Sequence, residues 1–114
     1  MTEPVQVKRG DVVLVDLGAK IGQEQQGIRP CLVVQNDKGN KFSPTTIVVP
    51  LTTRLTRNDL PTHMGFQGRY KSVLMFEQIV TIDKRRIIKG LDHVSPSQMK
   101  DVDKTIKISL GVVD

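Results

Sequence analysis

Thr46-Ile47-Val48-Val49-Pro50-Leu51-Thr52 is β-branched at every position except Pro50 and Leu51, the composition that packs best on a pleated sheet. It reads as a strand, with Pro50 marking an edge or a bulge, because proline has no N–H to give to a ladder. Upstream, Asp11 to Leu17 predicts a first strand. Cys31 to Gln35 predicts a second, and its apolar run Cys31-Leu32-Val33-Val34 is of the kind buried on both faces. Between them, Gly18 to Pro30 reads as a long loop with a polar centre, Gln23-Glu24-Gln25-Gln26. Asn36 to Pro44 is dense in turn formers. Downstream, Thr62 to Phe66 and Ser72 to Val80 predict two more strands, Asp83 caps a short helical turn over Lys84 to Arg86, and a last strand runs near Ile87 to Asp92. The period then changes. Ser95-Pro96-Ser97-Gln98 has Ser at the N-cap, Pro at the first helical position and Gln at the third, a capping-box pattern. Met99, Val102, Ile106, Leu110 and Val113 recur at helical spacing and predict an amphipathic helix packed on the sheet. The expected class is α+β, mainly β: a strongly bent antiparallel sheet or small barrel with one C-terminal helix.

The 114 residues fit one domain, 1–114, with no repeats or linkers. Lys plus Arg number 17 against 12 Asp plus Glu, a formal charge of +5, which suits a polyanion or an acidic protein partner. A single cysteine, Cys31, points to a reducing compartment and reads as a buried strand residue. Met1 to Lys8 holds no apolar stretch of signal-peptide length, and no run reaches the roughly 18 apolar residues of a membrane helix. A cytoplasmic location is expected.

The eliminations are informative. His63 and His93 have no Cys or carboxylate spacing that suggests zinc. Neither a phosphate-cradling Gly-rich loop nor a Gly-x-Ser-x-Gly elbow occurs. ATPase, hydride-transfer and serine-hydrolase readings fall away, and neither metal nor cofactor is expected. The segment Gly22-Gln23-Glu24-Gln25-Gln26-Gly27-Ile28-Arg29-Pro30 reads either as a solvated loop with a Glu24–Arg29 ion pair or as a functional loop. In the second case it puts a guanidinium, whose planar fork matches phosphate oxygens, at the mouth of the sheet.

Several segments in order carry a resemblance: Lys8-Arg9-Gly10-Asp11-Val12, Gly22-x-Glu24-Gln25-x-Gly27-x-Arg29-Pro30, Gln35-Asn36-Asp37-x-Gly39-Asn40, Ser43-Pro44-Thr45, Leu60-Pro61-Thr62-His63, Glu77-Gln78-Ile79-x-Thr81-Ile82-Asp83-Lys84 and Val102-Asp103. Over about Val7 to Val112 the chain resembles the MazF/PemK toxins. That resemblance implies a CcdB-like fold, a homodimer, and sequence-specific cleavage of single-stranded RNA, usually mRNA, leaving 2′,3′-cyclic phosphate and 5′-hydroxyl ends. It also implies an antitoxin that caps the RNA groove, and a basic toxin suits an acidic, partly disordered one. Family catalysis rests on an Arg and a Thr that carry over to Arg29 and Thr52. The nucleophile is then the RNA's own 2′-hydroxyl. Arg29 and Thr52 donate hydrogen bonds to the phosphate, Glu24 is the candidate acceptor of the 2′-hydroxyl proton, and a charged Arg29 is the donor to the leaving oxygen. Gln23, Gln25, Asn36, Asn40, Thr53, Glu77 and Gln78 are the candidate substrate-binding residues, since amides and carboxylates match the edges of unstacked bases. Asn36 and Asn40 equally sit where turns favour Asn. Gln67-Gly68-Arg69-Tyr70-Lys71 forms a basic turn several residues shorter than in close family members. Two alternatives stand beside this reading: a CcdB-like gyrase poison, which shares the fold but does not need Arg29 and Thr52, and a non-catalytic nucleic-acid-binding barrel.

Overall fold

The computed structural model describes residues 6–19, 21–22, 25–54, 60–68 and 71–112. Its elements are β1 (Asp11–Asp16), β2 (Ile28–Val33), α1 (Asp37–Phe42), β3 (Thr45–Thr52), β4 (His63–Gln67), β5 (Lys71–Met75), a 3-10 turn (Phe76–Gln78), β6 (Val80–Asp83), a second 3-10 turn (Lys84–Arg86), β7 (Ile87–His93) and α2 (Pro96–Leu110). All pairings are antiparallel, in the order β4-β5-β3-β2-β1-β7, with β6 also on β3.

Period-2 alternation divides the three central strands between two cores. Val12, Leu32, Val49 and Leu51 join Phe66, Leu74, Phe76, Val94 and Val102, with Met99 and Ile106 of α2 against them. Val13, Val15, Cys31, Val33 and Val48 join Leu17, Ile82 and Ile87 on the other side. Both faces are covered, which is why Cys31 to Val34 reads as an unbroken apolar run. The capping box forms as the sequence predicts: Ser95 Oγ accepts from Gln98 N, and the Gln98 side chain accepts from Ser95 N. The far end of the helical stripe differs. Leu110 is 57% exposed and stands with Ile108 and Val112 as an uncovered apolar end of α2, because the sheet beneath extends only to Val102 and Ile106; Val113 lies outside the described residues.

Two other expectations change. The turn-rich Asn36–Pro44 segment contains a six-residue helix, α1, N-capped by the Asn36 side chain accepting from Gly39 N. Its Asn40 is buried at 1% exposure. The Asn40 amide donates to Gln35 O and Asp37 Oδ1 and accepts from Thr46 Oγ1 and Gln35 Nε2, while buried Lys84 Nζ donates to the Asn40 carbonyl. The apolar run Ser72 to Val80 is not one strand. β5 and β6 pair with successive stretches of β3, Leu51–Thr52 and Thr45–Val48, in different registers. Paired numbers total 125 across Leu51–Leu74 and 128 across Val48–Val80, a shift of three taken up by the three residues Phe76–Gln78. Buried Phe76, whose N–H donates to Thr62 O, pins that turn. Pro50 falls between the two pairings, where β3 changes partners and a missing N–H breaks no regular run.

Candidate active site

The β1–β2 loop is tied at its neck. Leu17 N donates to Gly27 O and Gly27 N donates to Gly18 O, both at 2.9 Å. Gly18 and Gly27 have φ of +71° and +76°, a conformation side chains disfavour. The neck delivers the chain into β2, whose second residue is Arg29, paired across β1 with Val15.

Pairs between β2 and β3 are Cys31–Pro50, Leu32–Val49 and Val33–Val48. The pairing ends at Cys31–Pro50, so Arg29 and Thr52 stand two residues beyond the last pair, one on each strand. Both line one cleft of about 220 Å³, together with Thr53, Ile28, Pro30, Leu51 and Phe66. Arg29 is exposed. Its Nε donates to Gln26 O at 3.1 Å, an arrangement that keeps the terminal nitrogens for a ligand. Thr52 is half-buried, and its Oγ1 accepts from Arg54 N at 3.1 Å, so the hydroxyl hydrogen is available to donate elsewhere. Two donors from separate strands thus meet in one concavity, as recognition of a phosphodiester requires.

Of the other sequence candidates, Gln25 N donates to Gln78 Oε1 at 3.2 Å, which joins the loop to the 3-10 turn. Glu77 Oε1 lies 2.7 Å from His63 Nε2, with the His side chain largely covered. Glu77 and Gln78 therefore stand on a turn and not inside a strand, because the register shift needs those residues. Asn36 and Asn40 are not brought to the cleft: α1 follows the end of β2 opposite Arg29, and their side chains are spent on the cap and the buried network. Glu24 and Gln23 lie outside the described residues. The short basic turn is the β4–β5 hairpin, closed by the Gln67–Lys71 pair, with Arg69 and Tyr70 also outside them.

Sequence reasoning missed the rest of the cleft lining. Val12, Leu91, Asp92 and Ser72 come from β1, β7 and β5, and Ser72 Oγ donates to Phe66 O. Strand alternation marks Val12 as inward-facing, but only tertiary pairing brings β7 alongside. Cys31, two residues from Arg29, is fully buried, and burial pushes its thiol up to about 12; it is inert as a nucleophile. Among the described residues, no three His, Cys, Asp or Glu side chains cluster as a metal site would. No described helix is long and apolar enough to cross a membrane.

Residues 8–110 match the family model described as PemK-like, MazF-like toxin of type II toxin–antitoxin system. The chain is 46% identical over 113 residues to Endoribonuclease EndoA of Bacillus subtilis (strain 168), covering 95% of this chain and 97% of that protein. Among solved structures it resembles a mycobacterial endoribonuclease in complex with its cognate antitoxin, at a TM-score of 0.81 and 26% identity over 95% of this chain and 98% of that one. It also resembles MazF (Form-I) of Deinococcus radiodurans, at a TM-score of 0.82 and 21% identity over 94% and 98%, a likeness of fold.

Proposed function

This chain belongs to the PemK-like, MazF-like toxin family of type II toxin–antitoxin systems, and from that membership we propose that it is a metal-independent endoribonuclease cutting single-stranded mRNA at defined sequences. The observation that carries the reading is the convergence of Arg29 and Thr52 on one cleft. In this reaction the 2′-oxygen bonds to phosphorus as the P–O5′ bond breaks. The 2′-hydroxyl proton passes to Glu24, and the departing O5′ takes a proton with Arg29 as the donor facing it. The products are a 2′,3′-cyclic phosphate and a 5′-hydroxyl. Arg29 offers its terminal nitrogens to the non-bridging oxygens, where negative charge grows, and Thr52 adds a third donor that fixes the register of the phosphate. The nucleophile belongs to the substrate, so the protein's work is alignment and charge stabilisation.

Ile28, Leu51, Phe66 and Leu91 give the cleft an apolar wall against which an unstacked base can lie. Thr53 on the same wall, the Gln23 and Gln25 side chains of the loop, and Glu77 are the groups proposed to read base edges. The active form is a cytoplasmic homodimer of single-domain chains. Its inhibitor is a cognate antitoxin, acidic and partly disordered, drawn to a chain of charge +5.

Incubating the purified protein with a long single-stranded RNA in EDTA tests the reading. Discrete fragments with 5′-hydroxyl ends are expected, and Arg29→Ala abolishes them. Intact RNA, or the same fragments from the Arg29→Ala protein, overturns it.

A further inference from the structure

We propose that Gln78 is a positioning residue for RNA cleavage, acting through the Gln25–Gln26 backbone on the Arg29 guanidinium, and that it is not a base reader. The inference rests on the ribonuclease reading above. Gln78 Oε1 accepts the Gln25 N–H at 3.2 Å, across 53 residues of sequence. One residue on, the Gln26 carbonyl accepts Arg29 Nε at 3.1 Å. At the next residue Gly27 closes the neck of the loop with Leu17 and Gly18. The short arm Gln25–Gly27 is therefore held at each of its residues. One of those holds is the contact that fixes the guanidinium.

The anchor is the firm partner in this arrangement. Gln78 sits on the 3-10 turn whose Phe76 is 1% exposed, whose Phe76 N–H donates to Thr62 O, and whose Ile79 N–H returns to Phe76 O. The arm is exposed at Gln26 and Gly27. Arg29 is long, with large rotamer freedom. Fixing Nε selects among those rotamers before substrate arrives, and the terminal nitrogens are then already aimed. Pre-orientation of this kind raises the rate of the chemical step more than it raises affinity. A glutamine suits the anchor because its side-chain carbonyl supplies the acceptor oxygen that the Gln25 N–H meets.

The test is a mutant cycle on single-turnover cleavage. Gln78→Met keeps the length and removes the acceptor; kcat is expected to fall about tenfold, the order expected for re-freezing one long side chain. KM should stay within about twofold, with the cut sites unchanged. Arg29→Lys has no Nε to meet Gln26, so in that background Gln78→Met is expected to slow the enzyme no further. Gln78→Glu keeps an accepting oxygen; it should hold the Gln25 amide protected from hydrogen exchange and keep kcat within about threefold of wild type. A changed cleavage motif in Gln78→Met, an additive loss in the Arg29→Lys background, or an undiminished kcat overturns the proposal. So does a Gln78→Glu protein that loses Gln25 protection or rate. If wild-type protein fails to cut RNA, the ribonuclease reading has failed; if it cuts and these variants misbehave, only this inference has.

Discussion

Replacing Thr52 by Val removes one hydroxyl and keeps the branched shape of the side chain, so it separates chemistry from packing. Thr52 Oγ1 accepts from Arg54 N, and Arg54 is exposed. Water can take over that N–H, so the stability loss is bounded by one ordinary hydrogen bond, about 1 kcal/mol. Unfolding entropy of roughly 2.1 cal/mol/K per residue over 114 residues amounts to about 0.24 kcal/mol/K. The expected fall in Tm is then at most about 4 °C. The loss of rate is much larger if the hydroxyl donates to the phosphorane-like transition state: one such donor is worth about 10²–10³ in rate, or about 2.7–4 kcal/mol. Single-turnover cleavage of a 5′-labelled RNA at saturating protein, beside a thermal melt, measures both quantities. Thr52→Ser, which keeps the donor, should stay within about tenfold of wild type. A Thr52→Val protein that cuts within about threefold of the wild-type rate refutes the argument. A melt lowered by far more than about 4 °C refutes the assumption that Thr52 is not structural.

Three further outcomes are expected. Arg29→Lys keeps a positive charge but loses both the bidentate fork and the Nε contact with Gln26, so cleavage should slow by about 10²-fold or more; a rate within tenfold of wild type would mean charge alone suffices. The Arg85 side chain, and after it the Arg85 backbone N–H, holds the Asp83 carboxyl down to about 2. Because this folded-state value is depressed below the ordinary carboxylate value of about 3.9, the stabilisation is present above that value and is lost as pH falls toward about 2. NMR titration should place the Asp83 midpoint there, and a midpoint near 4 contradicts the contact. Finally, Cys31 should resist a thiol reagent at pH 8 in the native protein and react on unfolding. Its folded-state value is raised to about 12, so stability should decline as pH climbs from about 9 toward that value; rapid native labelling would show that the β2 core opens.

Much of the scaffold was legible because local physics determines it. The α2 capping box, the Asp83-capped turn and the two-faced burial of Cys31 to Val34 each follow from side chains acting on near neighbours or from alternation along one strand. Arg29 stood out as a guanidinium on a polar glycine-flanked loop, Thr52 was singled out by resemblance, and nothing in their spacing says that they meet. The helix at Asp37–Phe42 was not legible: turn-forming residues there become helical because Asn40 is drawn into a buried network completed by Thr46 and by Lys84, which is 44 residues distant from Asn40.

The sequence by itself determined the strand-rich composition, the positions of the glycines that turn the β1–β2 loop, the final helix and the basic charge, because these depend on residue type and short spacing. Tertiary structure decided where β3 trades β6 for β5, and so why Phe76–Gln78 is a turn instead of strand. It also decided that Arg29 and Thr52 line one cleft, and that Gln78 grips a loop 53 residues away. Those outcomes rest on register and on hydrogen bonds between distant segments, whose partners exist only once the bent sheet has assembled over its two cores.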